Sequence, residues 1–120
     1  MMTQLALDTR RLEPESPRDL MASAITWIDG NRAAFALMVE YAHQDASRYG
    51  IVRVKRYIED IRMSPLVKRP DGGVVKLKNA LSAPLGRIIA AWYPDLAPFV
   101  PLAASKCDGV IVPPKPSWVK

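Results

Sequence analysis

The basic side chains of this sequence are concentrated in one segment. Residues 48 to 78 contain nine lysines and arginines and three acids, whereas the other 89 residues contain eight basic and nine acidic side chains. The whole chain of 120 residues carries a formal net charge of +5 at pH 7. Because the excess positive charge belongs to one segment, it favours a polyanionic partner. The chemistry predicted here is the binding of phosphates.

Two arginines in this segment are spaced for contacts with bases. Arg53 and Arg56 are one helical turn apart and are predicted to point away from the apolar stripe of their helix. Arginine can donate two parallel hydrogen bonds to guanine. Basic residues of a following hairpin would neutralise flanking phosphates, and the hydroxyl groups of Tyr49 and Tyr57 could reach a phosphate or a sugar. The predicted nucleic-acid-binding residues are Arg48, Tyr49, Arg53, Lys55, Arg56, Arg62, Lys68, Arg69, Lys76 and Lys78.

The residue types that enzymes use do not form a catalytic pattern. His43 has Asp45 nearby but no serine or cysteine partner in a recognisable motif. Cys107 is the only cysteine, and with one histidine it provides too few ligands for a zinc site made of cysteine and histidine. Gly72 and Gly73 are followed by neither a helix nor a lysine-serine pair. We therefore expect no enzymatic activity, no metal and no cofactor.

Helical periodicity and capping residues predict two helices in the first half of the chain. The first is capped by Ser16 and runs to about Ile28. The second begins after Asn31, which is predicted to cap it, and ends at Gly50. A third helix is predicted to begin directly at Ile51. The connection through residues 48–50 resembles that of a helix-turn-helix pair.

The sequence also predicts the end of the third helix and the presence of a fourth. The third helix closes at Ser64 because Pro65 disfavours helical geometry in the residue before it. A fourth helix, capped by Asn79 or Ser82, ends before Pro94. The predicted shared core consists of Phe35, Met38, Val39, Ala42, Val54, Ile58, Ile61, Leu85, Ile88, Ile89 and Trp92.

A β-hairpin is predicted between the third and fourth helices. Segments 66–68 and 74–78 are rich in β-prone residues, and residues 69–73 between them have the composition of a turn. Residues 110–112 could add a strand. The fold class predicted is α+β and mainly α, with a helix-turn-helix pair followed by a hairpin wing. The predicted organisation is a flexible arm (1–15), a winged helix-turn-helix-like domain (16–102) and an irregular proline-rich tail (103–120).

Two features leave alternatives open, and a third bears on location. Lys55 and Arg56 each precede an acid by four residues, so the third helix could simply be a solvated helix whose charges partly cancel. Trp118 follows a proline-rich stretch and could be a hook for another protein or a second copy, or could fold back onto the core. The chain lacks a run of 18 apolar residues and a signal peptide, so we expect a cytoplasmic protein with no membrane partner.

Several short motifs in residues 31 to 100 occur together: Phe35-Ala36-Leu37, Tyr41-Ala42, Arg48-Tyr49-Gly50, Lys76-Leu77-Lys78-Asn79, Arg87 and Pro94-Asp95-Leu96-Ala97-Pro98-Phe99. This pattern resembles a group of short proteins encoded by phages and prophages, which have no agreed activity. The resemblance implies a phage origin, and with it a DNA-binding regulator or a modulator of a host protein. The first interpretation is a regulatory or accessory protein that contacts duplex DNA through the third helix and the hairpin. The alternative is a non-enzymatic protein that binds a host protein or itself through its basic face or its tail.

Overall fold

The computed structural model describes residues 16–64, 77–102 and 109–119. The helices in these ranges are α1 (Pro17–Gly30), α2 (Arg32–Tyr49), α3 (Val54–Arg62) and α4 (Ser82–Trp92), with 3₁₀ turns at Asn79–Leu81 and Ala97–Phe99. Helix α4 contacts α1 and α3, and α2 contacts α1 and α3. The four helices therefore surround one core.

The ends of α1 and α2 follow the sequence signals with one exception. The hydroxyl oxygen of Ser16 accepts a hydrogen bond from the backbone N–H of Asp19 at 3.1 Å, which confirms the predicted cap of α1. Gly50 ends α2 in the left-handed region with φ 68°, as predicted. Asn31 is at the N-cap position of α2 as predicted, but its side chain makes no capping hydrogen bond there and instead donates to the carbonyl oxygen of Trp27 in α1 at 3.1 Å.

Helix α3 begins three residues later than predicted. The backbone N–H of Val52 donates to the carbonyl oxygen of Phe99 at 2.8 Å, which holds this part of the chain outside the helix. Val52 is buried, whereas Ile51 is 39% exposed. The core therefore contains Val52, whereas Ile51, the first residue of the predicted helix, is partly exposed. Residues 50–53 form a four-residue connection between α2 and α3.

The predicted α+β class with a hairpin wing is wrong, since the described part of the chain is helical and has no strand. Residues 110–112, predicted as a strand, form an irregular segment whose Val110 and Val112 pack against the helical core. Leu77 is buried in that core, and Lys78 leads into the first 3₁₀ turn. The rest of the predicted hairpin, residues 65–76, lies outside the described residues. The β propensity of a residue reflects how well its side chain packs on a pleated sheet. The described residues form no sheet, so these β-prone residues pack against the helices through their apolar side chains.

The predicted core is confirmed. All eleven residues named from helical periodicity are buried in one cluster. Helix α1 adds Met21, Ala24, Trp27 and Ile28 to this cluster. The opposite faces of α2 and α3 are exposed to solvent, as the 3.6-residue period requires, whereas Ala91 is the one exposed residue of α4. Each helix is therefore held in a fixed rotation about its own axis.

The C-terminal segment folds back onto the helices. The indole N–H of Trp92 donates to the carbonyl oxygen of Pro113 at 2.8 Å, and Val119 is buried. The guanidinium of Arg32 lies 4.5 Å from the ring centre of Trp118, which is half-buried. Of the two alternatives for Trp118, the structure shows the fold-back onto the core.

Candidate nucleic-acid interface

Helix α3 has one buried face and one charged face. Val54, Tyr57, Ile58 and Ile61 are buried against the rest of the molecule. The side chains on the other face are exposed: Lys55, Arg56, Glu59, Asp60 and Arg62. Because four buried residues fix this nine-residue helix, the charged face is presented on a rigid element.

The structure separates the predicted site residues into three groups. The exposed group consists of Arg48, Tyr49, Lys55, Arg56 and Arg62. Arg53 and Lys78 are half-buried, and Lys68, Arg69 and Lys76 lie outside the described residues. Arg62 donates a hydrogen bond to the side-chain oxygen of Asn79 at 2.7 Å, which joins the end of α3 to the 3₁₀ turn before α4. Lys55 and Arg56 are adjacent in the first turn of α3, and both are exposed.

Arg53 does not point outward as predicted. Its Nε donates to Oδ2 of Asp45 at 3.1 Å, and its guanidinium lies 5.2 Å from the ring centre of Tyr49. The hydroxyl of Tyr57 donates to the same carboxylate oxygen at 2.5 Å and accepts from the backbone N–H of Arg53 at 3.0 Å. The prediction that Tyr57 could reach a phosphate is wrong, because its side chain is buried. These residues form a polar cluster that fastens α3 to α2.

The electrostatics of this cluster follow from its hydrogen bonds. The hydrogen bond from Arg53 holds the pKa of Asp45 below its ordinary value, and the bond from Tyr57 acts in the same direction. Burial, followed by the hydrogen bond to Asp45, raises the pKa of Tyr57 to about 12. At neutral pH the Asp45 carboxylate is ionised and balances the charge of Arg53. The ion pair therefore reduces the charge that Arg53 offers to a partner.

Replacing Asp45 by asparagine is expected to lower the free energy of unfolding by about 1 to 3 kcal/mol at neutral pH, because it removes a charged acceptor shared by two donors. The lowered pKa of Asp45 means that its contribution is complete above the ordinary value of 3.8 and is lost as the pH falls through the folded-state value. Urea unfolding of both proteins between neutral and acidic pH measures this difference. A difference that stayed constant below pH 3.8 would contradict the role of the ionised carboxylate.

A double-mutant cycle isolates the hydrogen bond between the side chains of Tyr57 and Asp45. Tyr57→Phe keeps the buried ring and removes the hydroxyl that donates to Asp45. The double variant Asp45→Asn with Tyr57→Phe is expected to lose less free energy of unfolding than the two single variants together. The expected difference is about 0.5 to 3 kcal/mol, as for other residues in one network. Strict additivity would show that the two side chains do not share a functional bond.

His43 contacts residues outside the cluster of Asp45, Arg53 and Tyr57. Its Nε2 lies 2.9 Å from Oδ2 of Asp95, and its Nδ1 lies 3.0 Å from the carbonyl oxygen of Val39. Both neighbours are acceptors, so a neutral ring can donate to only one of them at a time. The contact joins α2 to the loop that follows α4. Asp45, the acid that is close to His43 in sequence, is engaged by Arg53 and Tyr57 instead.

Sequence reasoning did not include one basic residue of this region. A groove of about 300 Å³ separates the first turn of α3 from α4, and Arg87 lines it on the α4 side opposite Lys55. Ser82, Gly86 and the apolar side chain of Leu102 also line the groove. Arg87 lies beyond the basic segment in the sequence, so only the packing of α3 against α4 brings it close to the first turn of α3.

No protein-family model, curated protein or solved structure matches this chain. Within residues 16–64, 77–102 and 109–119, no helix is long and apolar enough to cross a membrane. In the same ranges, no group of three or more histidine, cysteine or acidic side chains could hold a metal ion.

Proposed function

We propose that the protein binds duplex DNA through α3, which α2 and the four-residue turn present as the second helix of a helix-turn-helix pair. The observation that carries this proposal is the first turn of α3, where Lys55 and Arg56 are exposed side by side. Neither side chain has an ion-pair partner within 4.0 Å among the described residues. Charges in this state are available to phosphates and base edges.

The position of these two residues suits major-groove contacts. In helix-turn-helix proteins the N-terminal residues of the second helix reach the base edges. Arg56 can pair with guanine through two hydrogen bonds, and Lys55 can contact guanine or a phosphate. Arg53, engaged by Asp45, is assigned a positioning role at the start of α3. We assign no DNA contact to the predicted hairpin wing.

The acids of α3 limit the extent of the contact. Glu59 and Asp60 are exposed on the same helix, one turn after the two basic residues. Close approach of these carboxylates to phosphates would be repulsive. We therefore place the DNA at the first turn of α3 and not along its whole length. A regulatory or accessory role in the cytoplasm, and the phage origin that the sequence resemblance implies, belong to the same proposal.

The double variant Lys55→Ala with Arg56→Ala is expected to weaken duplex binding by roughly 50- to 100-fold at ~0.1 M salt, because it removes a phosphate contact of Lys55 and a base contact of Arg56. The slope of the logarithm of affinity against the logarithm of salt concentration is expected to fall by about one, for the phosphate contact of Lys55. Fluorescence anisotropy with a labelled duplex of ~20 base pairs, two helical turns, measures both quantities.

Two controls separate a local contact from a general effect of charge. Arg18→Ala with Lys115→Ala removes the same charge at α1 and the C-terminal segment, and is expected to change the affinity much less. Glu59→Gln removes an exposed negative charge from α3 and is expected to strengthen binding. Equal losses in the two double variants, or no duplex binding by the wild-type protein at low salt, would contradict the proposal. The latter result would favour a protein partner for the basic face.

A further inference from the structure

We infer that a second copy of this chain docks in the groove beside α1, with the two α1 helices antiparallel. The groove lies between the outer face of α1 and the C-terminal segment, which contributes residues between 109 and 113. Lys55 and Arg56 do not line it. The inference is therefore separate from the proposed contact with DNA, and either can fail without the other.

The groove follows α1 along its length. A cavity of about 1020 Å³ is lined on this helix from its cap at Ser16 to Thr26. A smaller cavity of about 280 Å³ is lined from Ile25 to Asp29. The two cavities share Ile25 and Thr26, so they form one continuous depression. The 14 residues of α1 make a helix about 21 Å long, and a second α1 matches the groove in length.

The lining of the groove is mainly apolar. Met21, Ala22 and Ile25 line it on α1, and Val110 and Ile111 line it on the C-terminal segment. Ile111 is 87% exposed, although isoleucine is one of the residue types most often found buried. An exposed apolar side chain beside an apolar groove is typical of interaction surfaces. Burial of Ile111 therefore favours a partner seated in the groove.

The outer face of α1 points to a second copy as that partner. One helical stripe with three- and four-residue spacing runs along this face and consists of Arg18, Ala22, Ile25 and Asp29. In an antiparallel pair centred between Ala22 and Ile25, Arg18 lies opposite Asp29 of the second copy. Ala22 then lies opposite Ile25 of the second copy, so that a small side chain meets a large one. The stripe is complementary to itself in charge and in size, as a two-fold interface requires.

The charges at the ends of the stripe can make this contact. Arg18 is exposed and forms no ion pair within the part of the chain that the structure describes. Oδ1 of Asp29 accepts a hydrogen bond from Arg32 at 2.8 Å, and a carboxylate has further acceptor sites on both oxygens. Helix α1 carries one basic and two acidic side chains. The excess positive charge of the chain is therefore not on this helix, and does not oppose the pairing of two copies there.

Charge reversal at the two ends of the stripe tests the antiparallel pairing. In a dimer of Arg18→Glu, or of Asp29→Lys, two contacts between like charges replace two ion pairs. Each variant is expected to self-associate roughly tenfold more weakly than the wild-type protein at low salt. An equal mixture of the two variants is expected to recover the wild-type affinity, because both end contacts of the mixed dimer then join opposite charges. Sedimentation equilibrium of the full chain measures these affinities.

The two reversals are compatible with the folded helix. Arg18→Glu places a negative charge near the start of α1, and Asp29→Lys places a positive charge near its end, which are the signs that the helix dipole favours. Circular dichroism checks that the helix content is unchanged. A mixture that associates no more tightly than either variant would overturn the pairing. A wild-type protein that stays monomeric up to submillimolar concentration would overturn the docking of a second copy and leave the groove to a different partner.

Ile111→Ser tests the apolar part of the interface. Because a two-fold interface buries this side chain twice, self-association is expected to weaken by roughly 30- to 100-fold. Met63→Ser is the matched control, since Met63 is 85% exposed at the end of α3 and does not line the groove. Equal effects of the two substitutions would overturn the inference. These measurements contain no DNA, so their outcome does not depend on the proposed function.

The control for DNA binding that changes Arg18 and Lys115 is kept independent of self-association. It is run below the dissociation constant of the dimer, where the wild-type protein and the variant are both monomers. A difference in duplex affinity then reports the charge itself and not the loss of a second copy.

Discussion

Replacing Ile58 by alanine is expected to lower the free energy of unfolding by about 2 to 5 kcal/mol. Ile58 is completely buried at the centre of the inner face of α3. Removing its side chain leaves a cavity between α3 and the helices it contacts, α2 and α4. The loss combines the transfer free energy of the removed methyl groups with the cost of that cavity. Urea unfolding followed by circular dichroism measures the change.

Ile51→Ala provides the matched control. This isoleucine precedes α3 and is 39% exposed, so the same chemical change is expected to cost less than about 1 kcal/mol. A loss near zero for Ile58→Ala would mean that α3 has a different rotation about its axis. The outward direction of Lys55 and Arg56 would then be wrong as well, and with it the proposed DNA contact.

Replacing Trp92 by alanine is expected to cost about 3 to 5 kcal/mol. The indole of Trp92 meets the ring of Phe35 edge-on, with ring centres 5.8 Å apart. Its N–H also donates to the carbonyl oxygen of Pro113, which holds the C-terminal segment. The substitution removes both contacts at once. Chemical unfolding gives the stability, and limited proteolysis between residues 109 and 119 reports release of the segment.

Trp92→Phe separates the two contributions. Phenylalanine keeps a ring in the core and removes the part-buried hydrogen bond to Pro113, so the expected cost is the ~1 to 3 kcal/mol of a lost hydrogen bond whose acceptor is left unpaired. Cleavage of the segment is expected to increase in both variants. If cleavage rose in neither, the bond to Pro113 would not be what fastens the segment to α4.

Local signals in the sequence were sufficient for the existence of the four helices and for eleven of the buried core residues. The period of 3.6 residues identified the buried faces. Ser16 caps the start of α1 and Gly50 caps the end of α2, as capping chemistry predicts. The signal was misleading at Ile51, which continues the apolar period of α3 but lies in the turn before it. A bond from Val52 to the backbone of Phe99 decides that boundary. Periodicity contains no information about a partner so distant in the chain.

The arrangement of the charges was decided by the tertiary structure. The sequence shows that Arg53 comes directly before α3 and that Tyr57 belongs to it, but not that Asp45 binds both of them. Hairpin propensity in residues 66–78 likewise predicted strands, although Leu77 is a core residue beside a 3₁₀ turn.

The interface follows the same division. Local patterns were enough for the apolar faces, for the start of α1 and the end of α2, and for the concentration of basic residues, because these depend on neighbours within one or two turns. Only the packing of α3 against α4 placed Arg87 opposite Lys55. Only the return of residues 109–119 placed Trp118 on Arg32. Such contacts join residues far apart in the chain, so their formation depends on the free energy of the whole core and not on any local pattern.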